Sequence, residues 1–570
     1  MNSRSLYNWV RQRQEILLLG LAALCLLLLL YFVSNRLLGA FLPRLPVVII
    51  QIVLLRTGFK YVARCIVFPG STALWRRSLE NSYGDLLNKS ISKLVAVCST
   101  NTVPEVTALL VFVVESLKLQ KTDSGVSPDQ RLFLEALDAL TMKLQSESLD
   151  VKPLCKKVQD LLSEDLIRKN ENLLESIYKP GIPRILGSLD YLRAELKIRT
   201  KGSYFRVNKD KIQGILISNS SADKAVIIFC NPNAGYFETC YHQADWLDFY
   251  TKLGIDYCSW NYRGFGTSSG SPSLSNTFED VQAVYDHLIL LGYKKIGLHG
   301  RSIGGACAIH LADKLTKLGQ PISFLITDTT FHSLGVASEY LAGKVAKFAL
   351  WFAGEAGPTL TELWLGIDCP KLLTCDPNDE IIAEQASLKN GVIKSALSAK
   401  RTNTNAIGAD SSYETDFQKV ADSLTQLHEH TNPRIDGLRE MTSLQDYNLD
   451  RLLSIVRAIF ARSDFSPESL RIRHQTAKMW PLTESERLTW INLSDECNRL
   501  VSTVQNGAIE PHSMDDCLRE LFKFAKEILS GNVYDPNHGQ LLNLSCGHNG
   551  SFGSEEEQIL ISFVSNSLRR

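Results

Sequence analysis

The chain is 570 residues long, 45% hydrophobic, with 61 basic side chains balanced by 61 acidic ones. That length holds several domains, and the balanced charge excludes both the basic surface of a nucleic-acid binder and the composition of a disordered chain. The 13 cysteines have no zinc-ligand spacing (Cys369 and Cys375 are too far apart for C-x-x-C), so they read as buried thiols such as Cys230, Cys258 and Cys307 in a reducing compartment.

Residues 1–70 read as a membrane anchor followed by an interfacial segment. Ile16 to Val33 is an uninterrupted apolar run, close to the ~18 residues that make a transmembrane helix a candidate. It is long for a signal-peptide core and no small-x-small cleavage site follows it. Leu37 to Leu55 is broken by Pro43, Arg44 and Pro46, which suits a re-entrant or interfacial stretch or half of a hairpin. Arg56, Lys60 and Arg64 then form a basic collar among Phe59, Tyr61 and Val62, a composition fitted to lipid headgroups. Basic residues flank the first span on both sides, so orientation is left open by charge, while the cysteine usage places the rest of the chain on the cytosolic side. Residues 71–190 read as a helical domain, with apolar residues at helical spacing in Leu74–Val97, Val106–Leu119, Gln130–Leu144 and Lys156–Ile177.

Near residue 191 the pattern changes. Tyr204–Val207 and Ile212–Ser218 predict an antiparallel pair, after which strands at Val226–Cys230, Ile255–Trp260, Ile296–His299 and Ile322–Thr327 alternate with helical stretches. Such alternation predicts an α/β core, residues 191–390, with a mostly parallel sheet whose ligands gather at the carboxyl ends of its strands. Residues 391–530 predict a helical insert with helices at Phe417–Leu427, Leu449–Phe460, Glu484–Val504 and Cys517–Leu529, and residues 531–570 return to the core with a last strand and helix. His428 and His430, two lone imidazoles, do not make a metal site.

Chemistry concentrates at Lys295-Ile-Gly-Leu-His-Gly-Arg-Ser302-Ile-Gly-Gly. This is G-x-S-x-G at a strand-to-helix corner, tight enough to call for glycine at Gly300 and Gly304. It exposes the Ser302 hydroxyl as a nucleophile and turns the Ile303 N–H, at the helix start, toward a developing oxyanion. A second match, Gly266-Thr-Ser268-Ser-Gly270, opens no helix and reads as a decoy. Asn231-Pro-Asn-Ala-Gly235 follows a strand directly, and the Asn233 N–H is the candidate second oxyanion donor. Asn261-Tyr-Arg-Gly-Phe-Gly266 lacks nucleotide-loop spacing and reads as a tight structural loop. Asp379 is the candidate acid, in the turn after Pro370–Cys375, with Asp376 as competitor and Asp328 as a further alternative. His548, in Gly547-His-Asn-Gly550 after the last strand, is the candidate base. His299, His310 and His538 are better explained structurally. The order Ser302, Asp379, His548 is that of α/β-hydrolases.

The pieces Asn231-Pro-Asn-Ala-Gly, Asn261-Tyr-Arg-Gly-Phe-Gly, Gly300-Arg-Ser-Ile-Gly-Gly, Asp376-Pro-Asn-Asp379 and Gly547-His-Asn together resemble the α/β-hydrolase superfamily, on its membrane-associated ABHD and serine-aminopeptidase-like side. The resemblance covers residues from about 200 to 390 and 530 to 570. It implies a membrane-anchored serine hydrolase without a cofactor, acting on a lipid ester through an acyl-enzyme, with the bilayer and its lipid as partners. An acyl-protein thioesterase or peptidase is the alternative within enzymes. A non-catalytic scaffold or a secreted bacterial effector, the latter hinted at by the acidic Glu555-Glu-Glu557, is the alternative outside them. The insert of some 150 residues departs from the family, whose members have a short helix there. Ala337–Ala353 is apolar enough for a lid or acyl-chain wall.

Overall fold

The computed structural model describes residues 44–72, Arg193, Leu196 and Thr200, 202–209, 211–219, 224–240, 246–320, 322–404, 416–429, 450–460, 465–505, 513–530, 536–548 and 552–569. The Ile16–Val33 run and the four helical stretches expected between Leu74 and Ile177 lie outside these residues. Two compact units are distinguished, one of residues 1–297 and 352–355, the other of residues 298–351 and 356–570.

The first unit opens with α1 (Arg44–Val67). One continuous helix therefore joins the described part of the segment expected to be re-entrant or interfacial, from Arg44 on, to the basic collar. Pro46 stands in its first turn, where a missing N–H costs nothing. The collar meets protein: Lys60 and Arg64 approach the buried Glu355 carboxylate at 3.7 and 3.5 Å, and Phe59 packs edge-on against Phe352. Arg64 turns inward because a buried carboxylate needs a cation. No helix among the described residues is long and apolar enough to cross a membrane.

In the same unit β1 (Ser203–Val207) pairs antiparallel with β2 (Ile212–Ile217), β2 antiparallel with β4 (Asp256–Trp260), and β4 parallel with β3 (Ala225–Cys230). β3 and β4 are buried along their whole length; β3 accordingly reads as a continuous apolar run, while β4 also buries Asp256 and Ser259. α2 (Trp246–Lys252) and α3 (Leu274–Leu290) also belong to this unit. Rings of Trp246, Phe249, Tyr250, Tyr257 and Phe229 form a connected aromatic layer with centroids 5.0–6.3 Å apart.

β5 (Lys295–Arg301) carries the division between the units. The second unit continues with α4 (Ile303–Lys317), β6 (Phe324–Asp328), α5 (Leu334–Ala342), α6 (Lys344–Ala353), α7 (Leu360–Gly366) and β7 (Lys371–Cys375). β6 pairs parallel with β7, and β7 parallel with β8 (Gln540–Asn543), in the register Leu373 to Leu541 and Cys375 to Asn543. Between β7 and β8 come α8 (Leu388–Thr404), α9 (Phe417–Glu429), α10 (Asp450–Ile459), α11 (Pro467–Met479), α12 (Glu484–Gln505) and α13 (Ser513–Leu529); α14 (Ser554–Arg569) ends the chain.

These helices have a core of their own, in which Leu424, Leu452, Leu470, Leu493, Leu521 and Phe524 are fully buried. They are pinned to the strand layer at polar points. Trp480 Nε1 donates to the Gly539 carbonyl at 3.1 Å, Asn543 Nδ2 to Glu486 at 2.9 Å, and Ser469 Oγ lies 3.4 Å from Glu384. Glu384 also holds the buried Lys389 ammonium at 2.5 Å. The long excursion thus returns the chain to the edge of β7, because β8 recovers its parallel register there.

Candidate active site

β5 ends in a corner. Ser302 has φ 53° and ψ −117°, a region sparsely populated by any residue with a side chain and costing about 1–3 kcal/mol. Its N–H donates to the Asp328 carbonyl at 2.8 Å, and its own carbonyl accepts the Gly305 N–H at 3.0 Å as α4 begins. Two glycines make the corner possible. A Cβ at Gly300 would stand 2.2 Å from the Gly304 carbonyl oxygen, and one at Gly305 would stand 1.9 Å from Thr330 Oγ1. The motif therefore needs a bare backbone at Gly305, one residue beyond the position that spacing singled out. Ser302 is 5% exposed, and Ile303 occupies the first turn of α4, where unpaired N–H groups and the helix dipole favour an anion.

The acid and base expected from the sequence meet. His548 Nδ1 and Asp379 Oδ2 are 2.7 Å apart, and both side chains are buried. The other carboxylate oxygen of Asp379 accepts the N–H groups of Ile381 and Ile382 at 2.7 and 2.8 Å, which fixes the plane of the carboxylate. Since an ionised carboxylate only accepts, Nδ1 carries the imidazole proton and Nε2 is left with its lone pair. Asp376, the competing acid, takes another part: its oxygens accept the N–H groups of Asn378 at 2.7 Å and of Gly547 at 2.5 Å. It shapes the acid turn and grips the histidine loop by the backbone.

Two further side chains that sequence reasoning did not single out, Glu380 and Arg301, converge here with Asp328, an alternative to Asp379 as the acid. Glu380 accepts the His548 N–H at 3.2 Å. Arg301, preceding the serine, donates from Nη2 to the His548 carbonyl and holds Asp328 Oδ2 at 3.5 Å from Nε. Asp328, at the end of β6, also accepts from Thr374 Oγ1 at 2.7 Å. A buried cation beside a nucleophile is the signal that could have drawn notice to Arg301. His299, fully buried and 4.0 Å from Asp328, has its pKa lowered to about 3, chiefly by burial, with Asp328 opposing and Arg301 adding to the shift. It is neutral and serves packing.

The remaining sequence candidates lie in the first unit. Ser268 Oγ accepts the Gln213 N–H at 3.0 Å and donates to the Asn261 carbonyl at 3.1 Å, so the second G-x-S-x-G match is a buried structural hydroxyl. The Asn261 loop is likewise built from internal bonds: Asn261 binds Phe237 N–H and Glu238 at 2.9 and 2.8 Å, and Arg263 grips Asp280 at 2.8 Å. Burial pushes the Glu238 carboxyl up, against the pull of Arg193 at 2.7 Å. Asn233 stands in a turn closed by Gly235 N–H to the Pro232 carbonyl at 2.9 Å. No cluster of metal-binding side chains occurs among the described residues, and no disulfide is formed by Cys258, Cys375, Cys497 or Cys517, all buried.

The chain is similar to known proteins over this region. The family model described as serine aminopeptidase, S33, matches residues 221–433, a span that holds Ser302 and Asp379 and ends before His548. An uncharacterized membrane protein of Saccharomyces cerevisiae is 33% identical over 147 residues, 25% of this chain and 48% of that protein. Protein bem46 of Schizosaccharomyces pombe is 33% identical over 151 residues, 26% and 46%. The lysophosphatidylserine lipase ABHD12 of Danio rerio is 28% identical over 181 residues, 29% and 46%. The chain thus spans about half the length of each of these three relatives. Among solved structures, an alpha-beta hydrolase from Vibrio vulnificus is 22% identical over 39% of this chain and 76% of that one, with a TM-score of 0.32, too low to carry any argument.

Proposed function

This chain is a member of the α/β-hydrolase superfamily, and from that premise we propose that it is a membrane-anchored serine hydrolase that cleaves a lipid ester through an acyl-enzyme. The observation that carries the reading is the 2.7 Å contact of His548 Nδ1 with Asp379, joined through Arg301 and Asp328 to the corner at Ser302. In this reading His548 Nε2 takes the Ser302 proton as Oγ attacks the ester carbonyl. Asp379 stabilises the imidazolium, and the N–H of Ile303 at the start of α4 binds the oxyanion. The protonated His548 then releases the alcohol, and water, deprotonated by the same ring, frees the acid. No cofactor takes part.

The lipid part of the reading draws on surface chemistry. Val345, Phe348 and Trp351 of α6 are 76%, 57% and 67% exposed, beside the exposed Tyr340 and Leu341 of α5. Large apolar side chains gathered outside a core favour contact with lipid or a partner. α1 adds exposed Ile49, Ile52, Val53 and Leu54, and the apolar Ile16–Val33 run precedes it. The yeast relative is named a membrane protein and the zebrafish relative a lysophosphatidylserine lipase. An acyl-protein thioester or a peptide is the runner-up substrate, the latter in keeping with the name of the family model.

The test is fluorophosphonate labelling of the full-length protein in membranes, followed by a screen of glycerolipid, lysophospholipid, acyl-thioester and peptide substrates. Ser302→Ala abolishes the label while the fold is retained. A label that survives Ser302→Ala, or wild-type protein that neither labels nor hydrolyses any of these, refutes the proposal.

A further inference from the structure

We infer that Arg301 is the positioning residue that sets the distance between the nucleophile and the base; the inference rests on the serine-hydrolase reading above. His548 is held by its backbone from two directions. From the acid turn, Asp376 takes the Gly547 N–H and Glu380 the His548 N–H. These two bonds, with the Asp379 contact, tie the histidine to the segment after β7. The bond from Arg301 Nη2 to the His548 carbonyl runs instead to the strand that carries the serine.

The circuit closes through Asp328. Its carbonyl accepts the Ser302 N–H at 2.8 Å, while its carboxylate holds Arg301 Nε at 3.5 Å and takes Thr374 Oγ1 at 2.7 Å. Arg301 and Asp328 are both buried, so each depends on the other for charge compensation, and neither moves alone without leaving an unpaired ion in a dry site. The serine's own backbone, the end of β6 and the histidine loop are thereby coupled through one guanidinium.

The residue type follows from the task. A planar guanidinium carries its charge and its donors at fixed angles, so it can face a carboxylate across an ion pair while donating from Nη2 to a carbonyl. A lysine ammonium keeps the charge but is a point donor on a flexible stem. The histidine loop is also the last piece of the site in the chain, reached only after the helices α8 to α13. Its approach to the serine strand rests on cross-links such as this one. Arg301 touches no reacting atom in this scheme and acts through His548.

The experiment uses full-length protein with p-nitrophenyl butyrate as a short soluble ester, reading kcat, KM and the thermal midpoint for wild type, Arg301→Gln and Arg301→Lys. Displacement of a catalytic group by about 1 Å costs about 100-fold in rate, so Arg301→Gln is expected to lower kcat by about that factor with KM within about threefold. Arg301→Lys, which keeps the ion pair with Asp328, restores the midpoint but leaves kcat at least about tenfold down. Where Arg301→Gln does not fold, Arg301→Lys carries the test. A folded Arg301→Gln enzyme with kcat within threefold of wild type overturns the inference while the hydrolase reading stands. So does Arg301→Lys restoring kcat and midpoint together, the result of a purely structural role. Wild-type protein inert to both the ester and fluorophosphonate overturns both.

Discussion

Replacing Asp379 by Asn changes one atom in size hardly at all and reverses one hydrogen bond. Oδ1 of Asp379 is fixed by two donors, the N–H groups of Ile381 and Ile382 at 2.7 and 2.8 Å. The amide oxygen of Asn must stay there, because an NH2 group would oppose two N–H donors in a buried turn. The amide nitrogen is therefore forced into the Oδ2 position, 2.7 Å from His548 Nδ1, where it donates. Nδ1 becomes the acceptor, the proton moves to Nε2, and the ring no longer takes a proton from Ser302. The corresponding exchange in a serine protease triad lowers kcat by about 10^4, which at about 1.4 kcal/mol per decade is about 5 kcal/mol of transition-state stabilisation. The folded state loses less. A charge-assisted bond of about 1.5–3 kcal/mol gives way to a neutral one of about 1 kcal/mol. Asp376→Asn is the matched control, since that carboxylate accepts the backbone N–H groups of Asn378 and Gly547, and its replacement is expected to cost under about tenfold in kcat. The assay is short-ester hydrolysis with the thermal midpoint of each variant. Comparable activity of Asp379→Asn and wild type, or a larger loss in Asp376→Asn than in Asp379→Asn, refutes the reasoning.

Three other outcomes follow from single contacts. Ser268→Ala is expected to leave hydrolysis and labelling intact and to cost about 1–3 kcal/mol in urea unfolding, because it strips a partner from the buried Gln213 N–H. His299, with its pKa lowered to about 3 mainly by burial, stays neutral in the fold while the unfolded chain protonates it near 6.5. Its contribution to stability is thus complete above about pH 6.5 and is lost as pH falls toward 3, at about 1.4 kcal/mol per unit. Unfolding of His299→Leu should accordingly lose about 3 kcal/mol less than wild type between pH 7 and 4.5, and equal losses would refute this. Glu384→Ala leaves the buried Lys389 ammonium without its carboxylate and is expected to cost about 3–5 kcal/mol, whereas Glu384→Gln with Lys389→Met should recover most of that in chemical denaturation.

Some features are local enough to be legible before any fold is known. The strand, corner and helix around Ser302 lie within one short stretch, and the corner's demand for bare backbone is written in Gly300, whereas that at Gly305 comes from the approach of Thr330. β3 and β6 announce themselves as apolar runs because they are buried along their whole length. The helices α9, α10, α12 and α13 keep an apolar period because one face of each meets a shared core. The helices α8 and α11 escaped notice for a physical reason: α11 buries Ser469, His474 and Thr476 among its apolar residues, so polar side chains interrupt the period that marks a buried face. At the collar, Lys60 and Arg64 face the buried Glu355 carboxylate, a partner that composition cannot tell from a headgroup.

What the sequence by itself determined, then, is the set of chemical groups and the short-range geometry that each owes to its neighbours. Asp376 and Asp379 stand in one turn three residues apart, and nothing local distinguishes them. The tertiary structure brings Asp379 rather than Asp376 to the imidazole, because only there does the pairing of β7 with β8 set the histidine loop against the turn. Ser302 and His548 are 246 positions apart, and Arg301 joins their neighbourhoods through a carbonyl that carries no sequence signature at all. Backbone groups are the same at every position, so a bond to one of them is invisible until the chain has folded around it.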